Sequence, residues 1–107
     1  MTPDVAAQLR ADVALVLAHV AADADGDYLI HHRRKTTFRI LMHSLPRFGH
    51  GETMTAEHVA NLEKVLAWVC FMTQWNGRRR TLTIAERDVQ AAAFRLSDAL
   101  RAAYVGR

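Results

Sequence analysis

The sequence predicts an all-α protein, a compact antiparallel bundle of about four helices. Two observations carry this prediction. Apolar residues recur at three- and four-residue spacing along most of the chain, and capping or turn residues separate the resulting segments. Short connections between such segments favour neighbours that run in opposite directions. The predicted helices cover roughly residues 3–24, 30–45, 55–76 and 84–104.

The first predicted helix opens with a clear start signal. Thr2 supplies a capping hydroxyl, Pro3 stands where its missing N–H costs nothing, and Asp4 lies at the positive end of the helix dipole. We expect the helix to end in the acidic, glycine-containing turn 23–27. Its apolar stripe is predicted to consist of Val5, Leu9, Val13, Val16, Leu17 and Val20.

The second helix is predicted over about 30–45, and residues 28–30 fit either an extended segment or its first turn. Pro46 is expected to end this helix, since proline cannot donate the next backbone hydrogen bond. The proline and two glycines within 46–54 predict a loop there. One helical face is formed by Phe38, Leu41, Met42 and Leu45.

Thr55 is predicted to cap the third helix, and Asn76-Gly77 to close it with a left-handed C-terminal cap. The run 65–72 is apolar on every face of this helix. Such a helix is either central in the core or shared with another chain. The predicted core stripe is Val59, Leu62, Leu66, Val69 and Met72 or Thr73.

Thr83 and Glu86 form a capping box that predicts the start of the fourth helix. Residues 88–100 have some of the rhythm of a helix-turn-helix motif. The apolar stripe nevertheless continues through the supposed turn without a break, so one long helix is the simpler interpretation. Its apolar side is predicted to contain Ile84, Val89, Ala92, Ala93, Leu96, Leu100 and Ala103.

Length and composition predict a single cytoplasmic domain, residues 1–107. The chain of 12.0 kDa carries a formal charge of +3 and one cysteine, which excludes an internal disulfide framework. No uncharged apolar run approaches the ~18 residues that a membrane helix needs. We therefore expect no membrane contact.

Two basic clusters are the candidate site for an anionic partner: His31, His32, Arg33, Arg34, Lys35 and Arg39, and Arg78, Arg79 and Arg80. Guanidinium groups bind phosphates and carboxylates bidentately. The simpler alternative for the first cluster is neutralisation by the acids of turn 23–27, and for the second a solvated turn. Trp75, close to the second cluster, could add a stacking surface for single-stranded nucleic acid.

The apolar excess of the third helix predicts an interface with a protein partner or with a second copy of the chain. Four short helices cannot easily cover every face of one of their own members, so a homodimer is plausible. The residues predicted for this interface are Trp68, Phe71, Met72 and Trp75.

Catalysis has little support in the sequence. Cys70 lies in the apolar middle of the third helix, where a thiol is expected to be inert packing. No two histidines lie four residues apart on a helix, although His43, His50 and His58 could converge around loop 46–54. We expect no metal, no cofactor and no small-molecule substrate.

The sequence therefore favours a non-catalytic helical binding or regulatory module that docks onto a macromolecule through its Arg-rich helix ends and an apolar interface. One alternative is a nucleic-acid-binding protein that uses the clusters 31–39 and 78–80. Another is a small phosphodiesterase or metal-dependent enzyme that uses His and Arg, with Arg39 and His43 on one helical face.

Overall fold

A computed structural model describes residues 2–22 and 34–105, with side chains for all of these except residues 22, 34–38 and 105. Four α-helices and one turn of π-helix make up nearly all of these ranges. They are α1 (Pro3–Ala22), α2 (Arg34–Gly49), α3 (Ala56–Arg79), α4 (Ile84–Leu100) and the π turn (Arg101–Val105).

The predicted all-α bundle is confirmed. Each helix packs against the next one in the chain, and α1 also packs against α4, so the four helices close a ring around one core. Leucine and valine dominate that core. Its fully buried apolar side chains are Val16, Val20, Leu41, Leu45, Leu62, Leu66, Val69, Ala92, Ala93, Leu96 and Leu100.

The three predicted N-terminal caps are confirmed. The Thr55 hydroxyl accepts a hydrogen bond from the backbone N–H of His58 at 3.1 Å, and the Thr2 hydroxyl accepts one from Val5 at 3.2 Å. At α4, Thr83 and Glu86 satisfy each other's backbone N–H groups at 3.1 Å in both directions. The helix starts are therefore set by local chemistry that the sequence displays.

The prediction that Pro46 ends the second helix is wrong. Helix α2 continues through Pro46 to Gly49, because one missing hydrogen bond does not outweigh the burial of Phe48, which is 5% exposed. A Schellman motif then ends the helix. Gly51, at φ 71°, donates to the carbonyl of Phe48, and Glu52 donates to the carbonyl of Arg47, both at 2.9 Å.

The predicted left-handed cap at Asn76-Gly77 is also wrong. Helix α3 runs on to Arg79, and the backbone N–H of Arg80 still donates to Asn76 at 3.0 Å. Gly77 therefore lies inside the helix. Its missing side chain leaves ordinary contact room beside Leu82, at 3.5 Å from where a Cβ would stand.

Two residues at helix starts lie outside the core although the periodicity placed them in it. Val5 is 54% exposed and Ile84 is 79% exposed, each in the first turn of its helix. Helix α4 is continuous from Ile84 to Leu100, so a helix-turn-helix motif is excluded in that segment.

The π turn at the end of α4 brings Tyr104 back onto the corner between α2 and α3. The rings of Tyr104 and Phe48 lie 6.3 Å apart at an angle of 56°. The Tyr104 hydroxyl also donates to the carbonyl of Glu52 at 3.4 Å. This contact ties the last described turn to the second helix connection.

Candidate interaction surface

One side of α3 builds the core and the opposite side faces outward. The inward residues are Val59, Leu62, Val65, Leu66, Val69, Cys70 and Thr73, all of them buried. We call the opposite strip the outer face of α3; its residues span about 120° around the helix axis. The outer face consists of Glu57, Ala60, Lys64, Ala67, Trp68, Phe71, Trp75, Arg78 and Arg79.

Aromatic side chains form the centre of this outer face. Phe71 is 52% exposed and Trp75 is 46% exposed, although both are large apolar groups. The Trp68 ring is half-buried against the core and stacks on Phe71, with ring centroids 5.4 Å apart and 27° between the planes. The stacking holds Phe71 in place, so the face presents a preformed aromatic surface.

Of the four residues predicted for an interface, Phe71 and Trp75 are open to solvent. Trp68 and Met72 are partly buried and pack against the protein's own core. The apolar run 65–72 is thus divided between the two environments that the sequence allowed, the interior and an outward surface. Part of the run is buried in the core, and its aromatic residues lie on the outward side of the helix.

The basic residues at the end of α3 have different environments. Arg78 and Arg79 are exposed. Arg80 instead forms a bidentate ion pair with Glu86, with both N–O distances at 2.7 Å. This pair, together with the hydrogen bonds from Thr83, lowers the pKa of Glu86 from 4.5 to about 2. Arg80 therefore anchors the α3–α4 connection.

The first predicted basic cluster is described only in part. His31, His32 and Arg33 lie outside the described residues, as do the acids proposed to neutralise them, and the side chains of Arg34 and Lys35 are likewise outside. Arg39 is exposed on α2. The short connection between the packed helices α2 and α3 favours an antiparallel pair, which brings the start of α2 toward the Arg78 end of α3.

A shallow groove of about 440 Å³ borders the outer face near the start of α3. Five of its lining residues come from the segment that opens α3, and the sixth is Tyr104 from the π turn. Ala60 belongs to both the groove and the outer face, so the two surfaces are continuous. The groove is lined by Met54, Ala56, Val59, Ala60, Glu63 and Tyr104.

A buried ion pair that the sequence reasoning missed joins α1 to α4. The Asp12 carboxylate accepts two hydrogen bonds from Arg95 and one from Gln8, each at 2.8 Å. The side chain of Asp12 is 2% exposed and that of Arg95 is 49% exposed. Because every partner is a structural neighbour, we interpret the carboxylate as part of the fold. The sequence contains one sign of this ion pair, because Asp12 is an acid within the apolar stripe of α1, between Leu9 and Val13.

The predicted inert role of Cys70 agrees with its surroundings. Cys70 is 7% exposed, and burial raises the pKa of its thiol. Thr73, which is fully buried, donates its hydroxyl to the carbonyls of Val69 and Cys70 at 3.0 Å. The Thr73 hydroxyl is therefore satisfied by the backbone of its own helix.

The three histidines that could converge around loop 46–54 have different environments. His43 and His50 are exposed, and His58 is half-buried on α3. Within residues 2–22 and 34–105, no three His, Cys, Asp or Glu side chains come together in a way that could hold a metal ion. In the same ranges no helix is both long and apolar enough to cross a bilayer.

Known proteins were compared with the chain at three levels. Protein-family models, curated protein sequences and solved structures all give no match.

Proposed function

We propose that this protein is a non-catalytic, cytoplasmic binding module that docks onto a protein partner through the outer face of α3. The observation that carries the proposal is the pair of half-exposed aromatic residues, Phe71 and Trp75, on a helix whose opposite side is the core. Large aromatic residues and arginine are the types that contribute most to protein interfaces. Here they adjoin one another on one face.

The physical gain on docking comes from the aromatic centre. Fully burying a large apolar side chain stabilises a complex by roughly 1.5–3 kcal/mol relative to leaving it in water. Phe71 is already stacked on Trp68, so little side-chain freedom is lost when a partner covers it. Arg78 and Arg79 lie at the rim, where charges add orientation and association rate more than affinity.

Capture of partners by matched variants tests this function. Wild-type protein, Phe71→Ser with Trp75→Ser, and Phe94→Ser are immobilised and exposed to cell extract. Phe94 is 40% exposed on α4, away from the outer face, so it controls for the loss of an exposed aromatic residue. Any captured protein is then purified and titrated against the three variants.

We expect the double variant to bind an identified partner on the order of tenfold more weakly, or worse, and Phe94→Ser to bind like wild type. Equal affinity of the purified partner for all three proteins would contradict docking at the outer face. Circular dichroism before capture establishes that each variant is folded.

Single-stranded nucleic acid is a second candidate, because the exposed Trp75 lies one turn from Arg78 and Arg79. Stacking on an aromatic ring next to backbone-binding cations is a common way to hold such strands. Affinity would then fall steeply with salt, and Arg33→Ala with Arg78→Ala would weaken binding. Unchanged affinity for DNA and RNA in that variant excludes this candidate.

A further inference from the structure

The outer face of α3 carries opposite charges at its two ends. Glu57 lies in the first turn, whereas Arg78 and Arg79 lie in the last turn. All three side chains are exposed, and none of them forms an ion pair with another described residue. The neighbouring Arg80, in contrast, is paired with Glu86 inside the same molecule. The face is therefore acidic in its first turn, aromatic in the middle and basic in its last turn, with the exposed Lys64 between Glu57 and Trp68.

The spacing of these charges is symmetric about the aromatic centre. Glu57 lies eleven residues before Trp68, and Arg79 lies eleven residues after it. At the rise of an α-helix, each charge is about 16 Å along the axis from Trp68. A two-fold axis that passes near Trp68 therefore places Glu57 of one copy level with Arg79, and beside Arg78, of a second copy.

We propose that the outer face of α3 binds a second copy of this chain, with the two α3 helices antiparallel and the two-fold axis near Trp68. This inference rests on the proposed function and names the partner of that same surface. Both ends of the contact form the same acid–base pair, and the Trp68 residues of the two copies lie level with each other at the centre. Trp75 of each copy then lies level with Asn61 of the other, seven residues to either side of Trp68.

The charge pattern distinguishes an antiparallel second copy of the chain from other possible partners of the outer face. A parallel pair of α3 helices would set Glu57 against Glu57 and arginine against arginine, which is repulsive at both ends. A nucleic acid or an acidic peptide along the whole face would be attracted by Lys64, Arg78 and Arg79 but repelled by Glu57 at the start of the helix. Only an antiparallel copy, or a partner with the same charge order, satisfies both ends. The opposed helix dipoles also favour the antiparallel arrangement.

Charge reversal with rescue tests the proposal. The mass of the protein is measured by light scattering over a dilution series, and the dissociation constant of the dimer is obtained for each variant. Glu57→Arg alone, and Arg78→Glu with Arg79→Glu, each create like charges at both ends of the contact. Because each substitution is present in both copies and affects both ends of the contact, we expect each variant to weaken the dimer on the order of tenfold.

The triple variant, Glu57→Arg with Arg78→Glu and Arg79→Glu, restores opposite charges and is expected to recover most of the wild-type affinity. Recovery of this kind is specific to antiparallel self-pairing, since neither a parallel dimer nor a nucleic acid would regain affinity. A triple variant as weak as the single reversals would overturn the proposal. So would a dimer that is insensitive to all three changes.

A covalent test reports the register directly. In the Arg79→Lys variant, a zero-length carbodiimide couples the Glu57 carboxylate to the new amine if the two groups are in contact. The two positions are about 33 Å apart within one helix, so any 57–79 product joins two copies. Arg87→Lys on α4 is the matched control, because position 87 does not lie on the outer face, and we expect no 57–87 product.

Failure of this inference is distinguishable from failure of the proposed function. A chain that stays monomeric at every concentration overturns self-pairing. The docking function then still stands if a purified partner loses affinity for Phe71→Ser with Trp75→Ser but not for Phe94→Ser. Loss of both results removes the outer face as an interaction surface.

Discussion

A glycine in the last turns of α3, Gly77, lowers the stability of this helix without forming a turn. Inside a helix, glycine is less favourable than alanine by roughly 0.5–1 kcal/mol. Its absent Cβ would meet Leu82 at 3.5 Å, which is ordinary contact. We therefore expect Gly77→Ala to raise the free energy of unfolding by a few tenths to about 1 kcal/mol in urea titrations.

The control for this substitution is another glycine. Gly51 has φ 71° and closes the Schellman motif of α2. An alanine there is strained, so Gly51→Ala should lower stability by about 1 kcal/mol. If both substitutions shift stability in the same direction, the assignment of Gly77 to the helix interior is wrong.

The ion pair between Asp12 and Arg95 should respond asymmetrically to substitution. Removing Arg95 leaves a carboxylate that is 2% exposed with Gln8 as its partner, whereas removing Asp12 leaves an arginine that is already half in water. We expect Arg95→Met to destabilise the fold by about 3 kcal/mol, and Asp12→Leu by less.

Urea unfolding of the two single variants and the double variant measures this coupling. The double variant should lose much less than the sum of the single losses, because no uncompensated charge remains. Additive losses would contradict a direct ion pair.

At the residue scale, the sequence predicts features whose cause lies within a few positions. The caps at Thr55 and Thr83 depend only on a hydroxyl and the backbone amides of the following turn. The ion pair of Asp12 with Arg95 joins residues 83 positions apart, so the local pattern shows an acid within an apolar stripe but does not identify its partner.

At the scale of the element, the ionised carboxylate of Glu86 stabilises the start of α4. The pKa of Glu86 falls from 4.5 to about 2, because Arg80 and the backbone N–H of Thr83 both bond to its carboxylate. The folded state therefore holds the proton less tightly than the unfolded chain. The contribution is complete above about pH 4.5 and is lost as the pH falls toward about 2.

The variant Glu86→Gln tests this contribution. Because Arg80 is half exposed, the stabilisation is on the order of 1 kcal/mol. The difference in unfolding free energy between wild type and Glu86→Gln should be present at neutral pH and shrink between pH 4.5 and 2. A constant difference across this range would show that the carboxylate charge is not involved.

The ends of the elements were harder to predict than their starts. Pro46 and Gly77 are helix breakers in isolation, yet α2 and α3 both continue beyond them. For α2 the burial of Phe48 outweighs the local preference of Pro46, whereas α3 tolerates Gly77 at the small cost of a glycine inside a helix. Such contacts are properties of the assembled bundle and cannot be read from one segment.

At the scale of the whole molecule, the periodicity of the sequence was sufficient to predict the fold class. The apolar run 65–72 was sufficient to predict which helix carries the outward aromatic surface. What the sequence could not supply was the division of that run between core and exterior. The order of charge along the outer face became meaningful only when Glu57, Trp68 and Arg79 were placed on one side of one helix.

The proposed self-pairing would make the stability of the molecule depend on its concentration. Association with the folded state alone raises the midpoint of thermal unfolding as protein concentration rises. We expect this rise for wild type and for Phe94→Ser, and a midpoint independent of concentration for Trp75→Ser with Phe71→Ser. Scanning calorimetry over a dilution series provides the measurement, and a midpoint that never varies in wild type contradicts the dimer.

The contact between α1 and α4 has a kinetic consequence. Asp12 and Arg95 are 83 positions apart, and contacts of high sequence separation are slow to form, so we expect this ion pair to form late in folding. Weakening this ion pair should raise the unfolding rate and leave the folding rate almost unchanged. We therefore expect the ion pair between α1 and α4 to determine the lifetime of the folded bundle rather than its folding rate.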